Sequence, residues 1–174
     1  RVMMNNKKPE VWLRGELPGI STLLQPAAHA LLQSKEEVFK YTEGFPEFLL
    51  WKRPAGRASV GFHLQHITGV LDRMLTYAEE QQLSEKQFEY LRNEGAEIPE
   101  IKIDHLTQAF TEKVAQAIDI FKNTAEEKLT QKRTVGRKQL PSSLIGLYFH
   151  AAEHSQRHIG QMLVTISVLR NQNN

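Results

Sequence analysis

Three of the seven histidines in this chain lie at four-residue intervals, His150, His154 and His158, in a segment with a helical pattern. Residues four apart lie about one turn apart on the same face of an α-helix. Two such imidazoles can converge on one divalent ion. A third imidazole from another helix would complete a site with one coordination position left open. The spacing therefore indicates metal chemistry.

The three histidines are not equivalent. His154 and His158 fall toward the apolar side of the predicted helix, where an unpaired imidazole is costly. Two core histidines bonded to neighbouring carbonyls or carboxylates are the alternative interpretation. His150 could line the pocket as a proton shuttle, because imidazole exchanges protons near neutral pH. A partly exposed histidine is the alternative at that position.

A second cluster, His63 and His66, lies in the second predicted helix. Either could supply the third ligand, because the second and fourth helices pack together in most bundle topologies. The spacing favours His66, which lies at the edge of the apolar stripe. We expect Asp72 and Arg73 on the far side of this helix from His66, as an exposed or inter-helix ion pair.

Hydrophobic periodicity predicts the helices that must position these residues. Four long amphipathic helices are predicted at 20–42, 59–81, 104–126 and from Ser142 or Ser143 to 171. Ser59 is the expected N-cap of the second, and Pro26 either kinks the first or marks its first regular turn. A capping box from Ser84 to Gln87 opens a further short helix, ending at Asn93.

We find no alternation of apolar and polar residues that would predict a strand. The basic segment 131–138 is expected to be a solvated loop. The prediction is an all-α four-helix bundle with a short extra helix in the helix 2–3 crossover. That link is long enough for the two helices to run parallel, although a tight hairpin remains the alternative.

The length of 174 residues fits one domain over 1–174, with residues 1–19 as an extended arm. Its net charge is +2, and its Lys and Arg residues are spread along the chain. We therefore expect no nucleic-acid partner. No apolar run suits a membrane span and 1–9 lacks a secretory pattern, so we expect no membrane partner and a cytoplasmic location.

The chain has no cysteine. Disulfides, thiolate metal sites and a cysteine nucleophile are therefore excluded. Nitrogen and oxygen must hold any metal, and a thiol in the reaction must arrive with the substrate.

Two segments, Ser59–Arg73 and His154–Gln161, resemble the motifs of the DinB-like, YfiT-like superfamily of metalloenzymes. In that family one histidine of the second helix and an H-x-x-x-H pair of the fourth bind a divalent ion. The resemblance implies that His66, His154 and His158 are the ligands here. It covers most of the chain, including the helix order and the Gly-Gln pair that follows the second motif.

Three neutral imidazoles suit Zn²⁺ or Ni²⁺ and leave a position for water or substrate. The resemblance implies a bacterial thiol-dependent S-transferase or isomerase that acts on a small molecule, with a low-molecular-weight thiol as cofactor, and suggests a homodimer. Gln161, one turn after His158, is a candidate to assist catalysis together with His150. We expect Gly160 to permit close packing of a neighbouring helix.

Two alternatives use the same metal site: a metal-dependent hydrolase, and a non-catalytic stress protein that binds metal or a small ligand. Two other metal classes fit poorly. The inverted zinc-protease pattern, His150-x-x-Glu153-His154, also needs a downstream carboxylate, and none of the 20 residues after His154 is acidic. A di-iron bundle needs Glu-x-x-His on two helices, and that spacing is absent.

Overall fold

The structure is a computed structural model that describes residues 7–173, most of which form a helical bundle. The four long helices are α1 (Gln25–Thr42), α2 (Val60–Ala78), α4 (Ile103–Lys122) and α5 (Leu144–Gln172), with a short α3 (Glu85–Asn93) between α2 and α4. The predicted bundle, with its extra helix in the crossover, is therefore confirmed.

Serine side chains begin three of these helices, as their positions predict. Ser59 and Ser143 each accept a hydrogen bond from the backbone N–H three residues further on, at 3.0 and 3.1 Å. Of the two candidates for the last helix, Ser143 is thus the cap and Ser142 is not. Ser84 and Gln87 form the expected capping box.

The predicted helix bounds differ from the observed ones by three to five residues at three ends, one of which is the end of α2 at Ala78 instead of residue 81. The first helix begins at Gln25 instead of residue 20, because Thr22–Leu24 form a separate 3-10 turn. Pro26 then occupies the first turn of α1, where its missing N–H costs nothing. The helix predicted to end at residue 126 stops at Lys122.

The basic segment 131–138 is not a plain loop, and the prediction that the chain has no strand was wrong. β1 (Lys132–Val135) pairs antiparallel with β2 (Leu140–Ser143). Strands of four residues are too short to display a clear alternation in sequence. Arg133 of β1 donates a hydrogen bond of 2.8 Å to the carbonyl oxygen of Ala78, the last residue of α2, so the hairpin packs against the C-terminal end of that helix.

Helices α2 and α5 are neighbours that run in opposite directions. His63, near the start of α2, contacts His158 in the middle of α5. Ala78 at the end of α2 and Leu144 at the start of α5 line one surface pocket. This arrangement places the first half of α2 against the middle of α5, where the candidate ligands lie.

Helices α2 and α4 run in the same direction, which settles the two alternatives for the crossover. Asp72 of α2 pairs with Lys113 of α4 at 2.8 Å, and the C-terminal residues Ala78 and Asn123 line the same pocket. Residues 79–102 therefore return along the bundle. The second half of this segment contacts the first half of α2, where Glu94 bonds to His66 and Gly95 to Gln65.

Apolar stripes on the long helices form the core, as predicted. The stripe of α2 is buried throughout; its members are Val60, Leu64, Ile67, Leu71, Leu75 and Ala78. The stripe of α4 is buried except for a half-buried Ile118; its buried members are Leu106, Phe110, Val114, Ala117 and Phe121. Each large side chain removed from water contributes about 1.5–3 kcal/mol, so these stripes hold the bundle together.

The described part of the predicted arm lies along α1. The backbone N–H of Val11 donates to Oε1 of Gln33 at 3.0 Å, and Arg14 pairs with Glu36. Residues 1–6 of the predicted arm lie outside the described residues. Within residues 7–173, no helix combines the length and apolar character needed to cross a membrane.

Candidate metal centre

The packing of α2 against α5 brings three histidines together in one cluster. His66 of α2 faces His154 and His158 of α5, and each offers a ring nitrogen within 4.8 Å of the other two. The ring centroids are 4.9 Å apart for His66 and His154, 4.6 Å for His66 and His158, and 4.4 Å for His154 and His158. The structure thus brings together the three histidines that the sequence predicts as ligands.

His63 lies one turn before His66 and is not one of the three described histidines whose ring nitrogens converge. It is buried, and its Nδ1 lies 3.0 Å from Nδ1 of His158, so the two rings share a hydrogen bond. Phe62 stacks on the ring of His66, with centroids 4.9 Å apart and planes at 18°. These two side chains pack around the cluster.

The Nδ1 atoms of the three clustered histidines have different environments. Nδ1 of His66 donates to the Glu94 carboxylate at 2.6 Å, and Nδ1 of His158 is engaged by His63. Nδ1 of His154 is buried and has no hydrogen-bond partner among the described residues. An unsatisfied buried polar atom costs about 1–3 kcal/mol. A cation bound by this nitrogen would remove that cost, so the donor set fits a divalent ion.

Burial keeps most of these imidazoles neutral. Burial first, and charge repulsion from neighbouring imidazoles second, lower the pKa of His154 to about 3 and that of His158 to about 4. Burial and the same neighbours lower the pKa of His63 to about 4. Because a metal binds the deprotonated ring, these nitrogens can accept an ion at neutral pH without first losing protons.

The two residues predicted to assist lie in different places. His150 is half exposed, its Nδ1 donates to Glu153 at 2.9 Å, and its ring centroid lies 5.2 Å from that of His154. Gln161 is exposed and makes no side-chain hydrogen bond among the described residues. His150 is thus adjacent to the cluster, whereas Gln161 faces solvent.

Gly160 does not have the predicted packing role. It is exposed, and a Cβ built there would meet no atom within 4 Å. No neighbouring helix of the described chain approaches it.

The sequence did not reveal two further residues of the site, Glu94 and Arg73. The carboxylate of Glu94 binds His66 through one oxygen and Nη1 of Arg73 through the other, at 2.8 Å. Arg73 was expected on the far side of α2, but it is buried and lies on the same side as His66. The reason is helical geometry, since seven residues span nearly two full turns. The expected inter-helix ion pair is made by its neighbour, Asp72.

The fold and the cluster together define a helical-bundle protein with a three-histidine candidate metal centre. A family model described as the DinB superfamily matches residues 30–162. The matched region includes both histidine motifs, and it covers most of the chain. The chain therefore belongs to the DinB superfamily. A search of curated proteins finds no match.

Proposed function

We propose that this protein is a cytoplasmic metalloenzyme that transfers a low-molecular-weight thiol to a small electrophilic substrate, or isomerises such a substrate through a thiol adduct. His66, His154 and His158 would hold the divalent ion, which we propose to be Zn²⁺ or Ni²⁺. The observation that carries the proposal is the convergence of three imidazoles, one of which has a buried Nδ1 without a partner.

The donor set supports a reactive site over a closed structural one. Three neutral nitrogens leave the double positive charge of an ion uncompensated and one position open, which favours an anionic fourth ligand. When bound, the ion would stabilise a thiolate or hydroxide at that position. Since the chain has no cysteine, the thiol would be a co-substrate. Small thiols are kept reduced in the cytosol, which supports a cytoplasmic location.

His150 is the better placed of the two predicted assisting residues. Its ring lies beside His154 and is half exposed, so it can reach both the cluster and solvent. In the transfer, the thiol loses its proton to His150, the sulfur bonds to the electrophilic carbon, and the leaving group departs with its electron pair. Glu153, which accepts a hydrogen bond from His150 at 2.9 Å, would stabilise the protonated ring.

The first test is elemental analysis of the purified protein and of His66→Ala and His154→Ala variants. We expect one divalent ion per wild-type chain and its loss from both variants. His105→Asn is the matched control, because His105 is exposed and its acceptor contact to Lys102 N–H can be kept by the amide. Stoichiometric metal in both alanine variants would contradict the ligand assignment.

The second test measures turnover of the metal-loaded protein on thiol–electrophile pairs and on an ester panel. Turnover that requires thiol and is lost in His154→Ala would support the proposal. Hydrolysis without thiol would replace the transferase with a hydrolase on the same site. Stoichiometric metal with no turnover in either panel would favour a metal-binding stress protein.

A further inference from the structure

The crossover between α2 and α4 supplies a buried carboxylate to the histidine cluster. Glu94 directly follows α3, and its side chain is only 3% exposed. One carboxylate oxygen accepts a hydrogen bond from Nδ1 of His66 at 2.6 Å. The other accepts one from Nη1 of Arg73 at 2.8 Å. Glu94 therefore links a candidate metal ligand to a buried guanidinium two helical turns further along α2.

The backbone of α2 is shaped to admit this carboxylate. Gly69 lies between His66 and Arg73, and a Cβ at Gly69 would overlap Oε1 of Glu94. The same Cβ would lie 2.7 Å from Nη1 of Arg73, which is closer than real contacts allow. A glycine here lets the charged pair lie directly against the helix.

Two hydrogen bonds to Gln65 fix the crossover on either side of the carboxylate. Tyr90 of α3 donates to the carbonyl oxygen of Gln65 at 2.9 Å, and the backbone N–H of Gly95 donates to its Oε1 at 2.7 Å. Gln65 itself is buried. The position of Glu94 is thus set by contacts on both sides of it in the sequence, and by a neighbour of His66.

A buried ion pair is a poor source of stability, because its desolvation offsets most of its Coulomb energy. At this position the ion pair acts on His66, whose orientation and tautomer it fixes. Arg73 occupies one oxygen of the carboxylate, so that the other accepts the Nδ1–H. A ring held in this tautomer presents the lone pair of Nε2, and partners of this kind fix the orientation of a metal-binding histidine.

We propose that Glu94, held by Arg73, is a positioning residue of the metal centre, which orients His66 and fixes its tautomer so that Nε2 faces the ion. This inference rests on the proposed metal site and is independent of the reaction. The alternative is a clamp that only docks the crossover on α2.

The test compares Zn²⁺ affinity in the wild type, Glu94→Gln and the control Glu97→Gln, by competition with a chromophoric chelator. The amide of Glu94→Gln would place an NH₂ group against either His66 or Arg73. We expect affinity to fall about 10- to 100-fold, as for other residues that orient metal ligands. Glu97 is exposed in the same crossover, so Glu97→Gln should stay within about twofold of the wild type.

A second measurement needs no metal. Nitrogen-15 NMR of the metal-free wild type should show His66 protonated at Nδ1 and unprotonated at Nε2, and Glu94→Gln should shift His66 toward the Nε2–H tautomer while Glu97→Gln does not. A clamp that only docks the crossover would leave the tautomer of His66 unchanged in a folded Glu94→Gln protein. An Nε2–H tautomer would overturn the inference. Equal Zn²⁺ affinities of the wild type and Glu94→Gln would overturn it while leaving the proposed metal site intact. A wild type that binds no metal would overturn both.

Discussion

The two helices that carry the candidate ligands hold them in different ways. On α2, His66 is fixed from outside its helix by Glu94, whose second oxygen binds Arg73. On α5, the ring of His154 is buried and its Nδ1 has no partner among residues 7–173. Nδ1 of His66 is therefore satisfied before any ion binds, and Nδ1 of His154 is not.

This difference shows that the two sides contribute oppositely to the stability of the metal-free protein. Hydrogen bonds to a charged group stabilise the fold by about 1.5–3 kcal/mol, whereas an unsatisfied buried nitrogen costs about 1–3 kcal/mol. The hydrogen bond of His66 on α2 therefore stabilises the metal-free fold, and the unsatisfied nitrogen of His154 on α5 destabilises it. An ion bound by that nitrogen would remove its cost.

The largest effect should come from replacing each ligand by leucine in the metal-free protein. His66→Leu leaves the buried carboxylate of Glu94 without its imidazole partner, so we expect a loss of about 1–3 kcal/mol in the free energy of unfolding. His154→Leu removes an unsatisfied nitrogen, and we expect no loss or a gain of up to about 1 kcal/mol. Urea denaturation measures both. Equal destabilisation by the two variants would contradict the comparison.

A pair of glycines tests the same contrast without touching a ligand. Gly69→Ala of α2 overlaps the Glu94–Arg73 pair, so we expect a loss of about 1–3 kcal/mol from overpacking. Gly160→Ala of α5 meets open space, and we expect a gain of about 0.4–1 kcal/mol from reduced freedom of the unfolded chain. Urea denaturation again gives the values, and a stable Gly69→Ala protein would show that the carboxylate has room to move.

The pH dependence of stability tests the burial of the same rings. Burial first, and neighbouring imidazoles second, lower the pKa of His154 to about 3 and the pKa values of His63 and His158 to about 4. The unfolded chain, with histidine pKa values near 6.5, binds protons below that pH which the folded protein does not. The contribution of these neutral histidines to the free energy of unfolding is thus complete above about pH 6.5 and is lost as the pH falls toward 4.

We therefore expect the urea concentration at the unfolding midpoint of the metal-free wild type to decrease as the pH is lowered from 7.5 to 5. His154→Leu should show a shallower fall over the same interval, because one of the titrating rings is gone. A midpoint that is constant from pH 7.5 to 5 would mean that these rings are protonated to the same extent in both states.

The helices and the candidate ligands could be predicted because both depend on local spacing in the sequence. The stripe of α2 repeats every three or four residues, and His154 and His158 are one turn apart, so periodicity places each on a helix face. The caps Ser59 and Ser84 depend only on neighbours within three residues. Local rules of this kind need no knowledge of the tertiary fold.

The positions of the Glu94 carboxylate and of the β1–β2 hairpin depend on tertiary contacts that leave no periodic pattern in the sequence. Glu94 lies in the crossover, and only the docking of α3 on α2 brings it to His66. Gly69 is one signal that was present, because a glycine in the middle of a predicted helix indicates close approach of another group. β1 and β2 form because Arg133 reaches the end of α2 and the strands pair with each other, and their sequences are too short to show it.

X-ray absorption spectroscopy of the zinc-loaded protein tests the metal centre most directly. We predict three imidazole nitrogens per ion at about 2.0–2.1 Å, with one remaining light-atom ligand from solvent. His154→Leu should lose one imidazole or the ion itself. A spectrum with fewer than three imidazoles, or one unchanged in His154→Leu, would contradict the assignment of His66, His154 and His158 as the metal ligands.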